Sequence, residues 1–249
     1  MPDNAVIIAG SARTPMGAMM GSLSSVRAPD LGAVAIKAAI KRAGLEPDDI
    51  EDLVMGCVLP AGLGQAPARQ ASRAAGIPDG TTCTTVNKMC GSGMQAVILA
   101  HDQIKAGTNR IAVAGGMENM SQAPYLLPKA RAGMRMGHGQ VLDSMFFDGL
   151  EDAYEGSLMG VFAQRTADRY NLSREAMDAF AVSSLNKSLD AIRNGWFGDE
   201  IAAVPVAGRG GETLVDTDEQ PGNARPDKIP TLKPAFAKDG TVTAANASS

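Results

Sequence analysis

Apolar positions along the chain follow two spacings. Short β-branched or apolar runs at 6–9, 53–58, 81–86 and 111–116 predict strands. Between them, residues 29–42, 65–75 and 95–105 carry small and apolar side chains at helical spacing. The first helix opens on Pro29-Asp30-Leu31, puts Leu31, Val34, Ala35 and Ala38 on one face, and is expected to stop at Gly44. Residues 53–58 are apolar throughout, as a strand covered on both faces requires. The run at 81–86 reads as a buried strand, and the helix after it is expected to cover one face with Val97, Ile98, Ala100 and Ile104. Strands alternating with helices in this way predict an α/β domain. Its sheet is mainly parallel, and right-handed crossovers place helices on both faces.

After Met117 the rhythm changes. Residues 123–139 are rich in Pro, Met and Arg without clear periodicity and predict a long ordered loop or a partner surface. Two helices follow, over 157–170 and 174–194, with Ser173 as N-cap of the second, Glu175 in its first turn and Gly195 as its stop. Residues 201–206 predict a strand and Gly208-Arg209-Gly210-Gly211 a turn. Residues 220–234 predict a Pro-rich loop carrying Arg225 and Lys228. Residues 241–249 read as the start of a further strand or helix, so that the sequence ends within a domain.

One stretch concentrates chemistry. Val86-Asn87-Lys88-Met89-Cys90-Gly91-Ser92-Gly93-Met94 puts a cysteine where a strand turns into a helix. Gly91 and Gly93 let a ligand approach the backbone, and the first turn of the helix offers unpaired N–H groups. Cysteines at helix N-termini ionise at about 3.5–7.5 rather than the usual value of about 8.5, which makes such a thiol a nucleophile at neutral pH. The plain alternative is a small packing residue. A packing cysteine needs neither the flanking glycines nor the turn, so the pattern favours the nucleophile.

Composition narrows the partners. The 249 residues hold only three cysteines, Cys57, Cys83 and Cys90, without paired or zinc-ligand spacing, which argues against a disulfide framework and a metal site and for a reducing compartment. A net charge of −4 leaves no basic field for nucleic acid or an anionic membrane. Aromatic content of 4% disfavours stacking platforms for bases. The first residues lack a basic, long apolar leader and no 18 apolar residues run together, so the expected location is the cytoplasm.

A thiolate suits transfer of an acyl group already carried on sulfur, because exchange between thioesters conserves most of the transfer potential. Backbone N–H groups near Gly91 would meet the oxyanion. The two histidines, His101 and His138, supply no evident base. His101 stands about three turns along the helix from Cys90 and reads as a helix residue; His138 lies on the long loop. A dinucleotide-dependent oxidoreductase is disfavoured, because Gly62-Leu63-Gly64-Gln65-Ala66-Pro67 places proline where the third glycine or alanine of that pattern belongs.

The stretch Asn87-Lys88-Met89-Cys90-Gly91-Ser92-Gly93-Met94-Gln95-Ala96 resembles the acyl-accepting cysteine motif of the thiolase family, in particular of the acetyl-CoA acetyltransferases. Gly115-Gly116-Met117-Glu118-Asn119-Met120-Ser121 is similar to the start of that family's loop domain. Gly240-Thr241-Val242-Thr243-Ala244-Ala245-Asn246-Ala247-Ser248 is similar to its coenzyme A segment. The resemblance implies a layered thiolase fold, a mainly parallel or mixed sheet with helices on both faces. Residues 1–118 would form its N-terminal βαβ domain and 119–249 a helical loop domain covering coenzyme A, with the C-terminal thiolase domain absent. It also implies an acyltransferase that condenses two acetyl-CoA to acetoacetyl-CoA, or cleaves 3-oxoacyl-CoA with coenzyme A, through a Cys90 acyl-enzyme. Coenzyme A is then a substrate, no cofactor is tightly bound, and the assembly is a homodimer or homotetramer engaged in fatty acid metabolism.

The same resemblance places Ser248 against the pantetheine, Met159 and Phe236 along the acyl and pantetheine pocket with Ala244 beside them, and Arg225 with Lys228 toward the phosphates of coenzyme A. Read without it, Met159 and Phe236 are core residues and the two cations are solvated loop charges. Two features depart from the family. Leu158 stands where many acetyl-CoA-specific members carry histidine, and the family's Asn-Glu-Ala-Phe segment, Gly-His-Pro histidine and late cysteine lie beyond Ser249. The alternative for these residues is therefore a non-catalytic fragment that binds coenzyme A or pairs with other subunits.

Overall fold

In the computed structural model, which describes residues 5–248, the central strand is β1 (Asp52–Gly56), buried at every position. Parallel neighbours flank it, β2 (Thr82–Val86) on one side and β3 (Ala112–Gly116) on the other, in the order β2-β1-β3. The registers align Gly56 with both Val86 and Gly116, so the three strands end level. Their following loops therefore emerge side by side.

The helices follow from this order. The crossover from β1 to β2 runs one way along the sheet and that from β2 to β3 runs back, so right-handed connections put their helices on opposite faces. On one side α2 (Pro67–Ala75) packs on β1 and β2 and is itself covered by α1 (Ala28–Arg42). On the other, α3 (Ser92–Lys105) packs on β1 and β3. Leu53, Met55, Ile36, Ile40, Ala71, Ala75 and Ile77 form the core between β1, α1 and α2. The first helix ends as the sequence predicts, with Gly44 in the left-handed region at φ +68°. A hairpin of β6 (Val204–Gly208) and β7 (Gly211–Val215) belongs to the same unit, where Val204 packs with Leu31 of α1 and with Leu23 of the segment before it.

Several expectations are corrected. Residues 6–9 form no strand, and Ile7 and Ile8 are 65% and 84% exposed. The run reads as apolar, but no described segment pairs with it. The strand at 82–86 is half exposed rather than buried, because it is the sheet edge. The buried face of α3 is Ser92, Ala96 and Ala100; Val97 and Ile98 point outward, since only small side chains fit where this helix lies against the sheet. Residues 220–234 are not a plain loop. They contain α6 (Glu219–Asn223) and a 3-10 helix, Pro226–Thr231, whose leading proline stands where an N–H would be unpaired anyway. Residues 241–248 form turns rather than a strand or helix, and Met1 to Asn4 and Ser249 lie outside the described residues.

The loop after β3 carries two 3-10 turns, Met120–Gln122 and Ala130–Ala132, and the short pair β4 (Tyr125–Leu126) and β5 (Leu142–Asp143), and His138 is exposed on it. By contacts the chain divides into one unit holding the residues up to 145 with 198–217 and a second holding 146–197 with the residues from 218 on. The second unit holds α4 (Met159–Arg169) and α5 (Arg174–Arg193), the latter capped by Ser173, whose Oγ accepts from the Ala176 N–H. No helix among the described residues is long and apolar enough to cross a membrane.

Candidate active site

Cys90 is exposed in the four-residue elbow between Val86, the last residue of β2, and Gly91, the N-cap of α3. Its neighbour Met89 has φ +48°, a left-handed conformation that costs a non-glycine residue about 1–2 kcal/mol and persists only where the surroundings enforce it. Two side chains of the elbow do so. Asn87 accepts the Met89 N–H on Oδ1 at 3.0 Å. Ser92, 5% exposed, accepts the Lys88 N–H on Oγ at 2.8 Å and donates to the Met89 carbonyl at 2.6 Å. The turn is closed by Gly91 N–H to Lys88 carbonyl at 3.1 Å and Ser92 N–H to Met89 carbonyl at 2.9 Å.

The loops after β1 and β3 lie against this elbow. Asn87 Nδ2 donates to the Val58 carbonyl at 3.3 Å, and the Cys57 N–H to the Val86 carbonyl at 3.0 Å. From the β3 side, Glu118 accepts the Val58 N–H on Oε2 at 2.7 Å and the Leu59 N–H on Oε1 at 3.2 Å. Cys57, 1% exposed, directs its thiol to Glu118 Oε1 at 3.8 Å. Burial first, and then the Glu118 charge, push the Cys57 thiol up to about 12. Cys57 is thus an inert thiol and Cys90 the accessible one. Cys83, half buried on β2, points its thiol to the Thr81 carbonyl. His101 is exposed on α3 with Nδ1 3.0 Å from Asp102 Oδ1.

The other expected site residues belong to the second unit. Met159 opens α4 and is 45% exposed. Beside it, Gly160 lies so close to Phe236 that a Cβ there would collide with the ring, which brings the Met159-Gly160 pair and Phe236 together. The segment carrying Ala244 and Ser248 is built on buried amides. Gln164, 4% exposed, accepts the Thr241 and Val242 N–H groups on Oε1, both at 2.9 Å, and donates from Nε2 to Asp168 at 2.8 Å. Asn246 accepts the Thr243 N–H at 2.7 Å and donates to Asp178 at 2.9 Å; Asp178 in turn pairs with Arg174 at 2.7 Å. Arg174 also donates to the Ile229 and Leu232 carbonyls at 3.0 and 2.9 Å.

These bonds leave Ala244 and Ser248 exposed on an ordered turn, tied to the Phe236 strap by Ala235 N–H to Val242 carbonyl at 2.9 Å. Arg225 and Lys228 are exposed at the start and middle of the 3-10 segment. Sequence reasoning missed Asn87, Ser92, Glu118, Gln164 and Asp178. The first three stand inside motifs already singled out. Gln164 and Asp178 gave no signal, because a polar residue on a helix reads as surface until its partners are seen. No cluster of three or more metal-ligating side chains occurs among the described residues.

Comparison with known proteins shows the family and the fold. Residues 6–249 match the family described as "Thiolase, N-terminal domain". An acetyl-CoA acetyltransferase of Pseudomonas aeruginosa is 48% identical over 246 residues, covering 98% of this chain and 63% of the relative. A probable acetyl-CoA acetyltransferase of Dictyostelium discoideum is 48% identical over 244 residues, covering 98% and 59%. Among solved structures, an acetyl-CoA acetyltransferase of Syntrophomonas wolfei superposes with a TM-score of 0.92 at 40% identity, covering 98% of this chain and 62% of that one. A thiolase of Ascaris suum, solved in complex with coenzyme A, gives 0.90 at 42% identity, covering 97% and 62%. The chain therefore spans roughly three fifths of the length of the relatives it matches, between 59% and 63%.

Proposed function

The chain belongs to the thiolase family, and from that premise we propose that it serves an acetyl-CoA acetyltransferase in which Cys90 carries the acyl group. The observation that carries this reading is the exposed Cys90 on an elbow whose backbone is enforced by Asn87 and Ser92. In the first half-reaction the Cys90 sulfur attacks the thioester carbon of acetyl-CoA. A new carbon–sulfur bond forms, and the coenzyme A sulfur leaves with its electron pair and takes up a proton. The acetyl carbon of a second acetyl-CoA then gives up a proton and attacks the carbonyl of the acetyl-enzyme; the bond to the Cys90 sulfur breaks, the sulfur takes up that proton, and acetoacetyl-CoA is formed. In the reverse direction the Cys90 sulfur attacks the keto carbon of a 3-oxoacyl-CoA, the bond between that carbon and the next one toward the thioester breaks, and acetyl-CoA leaves as its carbon takes up the thiol's proton. The thiol of coenzyme A then attacks the acyl-enzyme, the bond to Cys90 breaks, and its sulfur regains a proton.

Coenzyme A is a substrate here and no tightly bound cofactor is invoked. Met159, Phe236, Ala244 and Ser248 line the pantetheine and acyl path in this reading, and Arg225 with Lys228 meets the phosphates. The same reading gives residues 119–249 the part of a loop domain over coenzyme A, and the protein a cytoplasmic, homodimeric or homotetrameric setting in fatty acid metabolism. The test is acylation by acetyl-CoA followed by peptide mass analysis, which needs only the first half-reaction. One acetyl group on Cys90, absent in Cys90→Ser, is expected. Failure to acetylate Cys90, or equal acetylation of Cys90→Ser, would sink the reading.

A further inference from the structure

We infer that Glu118 is a positioning residue for the Cys90 elbow, acting through the single peptide group between Val58 and Leu59. That group is planar and rigid. Its N–H is held by Glu118 Oε1 at 3.2 Å, and its carbonyl accepts Asn87 Nδ2 at 3.3 Å. Glu118 Oε2 takes the preceding N–H, of Val58, at 2.7 Å. The carboxylate thus fixes the plane of the peptide from one edge, and Asn87 reads that plane from the other. Asn87 then holds the Met89 N–H at 3.0 Å, in the left-handed residue next to Cys90. Four links connect the end of β3 to the nucleophile, and each is a hydrogen bond or a rigid peptide.

The arrangement is more than a loop clamp. A carboxylate receiving two successive backbone amides makes charge-assisted bonds, stronger than the neutral bonds they would otherwise form. Burial keeps the neighbouring Cys57 thiol protonated, so that it faces Glu118 as a donor rather than as a second anion. The strained Met89 backbone gives the chain something to do, since without Asn87 in place Met89 relaxes and Cys90 turns from its presented position. The inference rests on the reading of Cys90 as the nucleophile.

The test uses iodoacetamide on the full chain. It requires no coenzyme A, so its outcome is separate from that of acetylation. The second-order rate of Cys90 alkylation, followed by peptide mass analysis across a pH series, is measured for the wild type, Glu118→Gln, Asn87→Ala and the double variant. Glu118→Gln turns an amide NH2 toward one of the two backbone N–H groups, and the loss of one charge-assisted bond is expected to slow Cys90 about tenfold. Asn87→Ala is expected to slow it by a similar factor, and the double variant no further than the slower single one, because both act through one peptide. A residue that only stabilised the fold would lower the urea midpoint and leave the rate of the folded protein unchanged. An unchanged Cys90 rate in Glu118→Gln, or losses that multiply in the double variant, would overturn the inference. If Glu118→Gln does not fold, the same cycle with Glu118→Asp is judged by the same two outcomes.

Discussion

Gly56 and Ser92 meet so closely that a Cβ on Gly56 would lie 2.6 Å from the Ser92 carbonyl carbon and 2.7 Å from its Cβ. The end of the central strand therefore touches the first turn of α3, two residues past Cys90. Ser92 is also the residue whose hydroxyl bonds both Lys88 and Met89. Sheet packing and elbow geometry are thus set by one contact.

Gly56→Ala tests that contact. The methyl group can be accommodated only if the α3 start moves off the sheet, and overpacking of this kind costs about 1–3 kcal/mol. Urea unfolding should show that loss. The same variant should also slow alkylation of Cys90, because Ser92 moves with the helix. Loss of stability with an unaltered Cys90 rate would mean that the elbow is held independently of the sheet.

Cys57 sets a pH prediction. Its folded value of about 12 lies above the ordinary 9.0, so the folded state keeps a proton that the unfolded chain releases. The resulting stabilisation is fully present below the ordinary value and is lost as pH rises through the window between the two. Cys57→Ala should therefore show a shallower decline of the urea midpoint across that window than the wild type. In native protein at about pH 8.5, where an accessible free thiol is partly ionised, alkylation should reach Cys90 and spare Cys57. Equal labelling of the two would contradict the buried Cys57 environment.

What the sequence disclosed, it disclosed through period and punctuation. Leu53, Val54 and Met55 announce a two-sided strand because nothing polar interrupts them, and Gly44 announces a helix end. Cys90 is legible because glycines mark the turn around it. Ile7 and Ile8 mislead, since an apolar run says that a segment needs a partner and not where the partner is. Val97 and Ile98 mislead for another reason. Close approach of α3 to Gly56 favours Ser92, Ala96 and Ala100 on the inner face, and that distance is not written in any spacing. Glu118, Gln164 and Asp178 stayed hidden because satisfied burial of a polar group depends on amides brought in by other elements.

Gly160 and Phe236 give a prediction of opposite signs. At a helix position alanine is better than glycine by about 1 kcal/mol, but here the methyl group would meet the Phe236 ring. Gly160→Ala should destabilise the wild type, because the ring must swing away from α4. In a Phe236→Ala background, with the whole ring gone, the same change should stabilise. Thermal unfolding of the four proteins decides it, and additive effects would remove Phe236 from contact with Gly160.

Gln164 anchors the turn that presents Ala244 and Ser248, and its removal should be read in binding as well as stability. Gln164→Leu keeps the volume but leaves the Thr241 and Val242 N–H groups without their acceptor and Asp168 without one donor. A buried group left unpaired costs about 1–3 kcal/mol, so the urea midpoint should fall clearly. If the turn carries part of the coenzyme A site, affinity for coenzyme A measured by calorimetry on the folded protein should fall as well, because Ser248 is no longer held in place. Asn246→Ala loosens the same turn from its other side, where Asn246 bonds Thr243 and Asp178. Its loss of affinity should therefore overlap with that of Gln164→Leu rather than multiply it. Full coenzyme A affinity in both variants would place the binding determinants elsewhere in the protein.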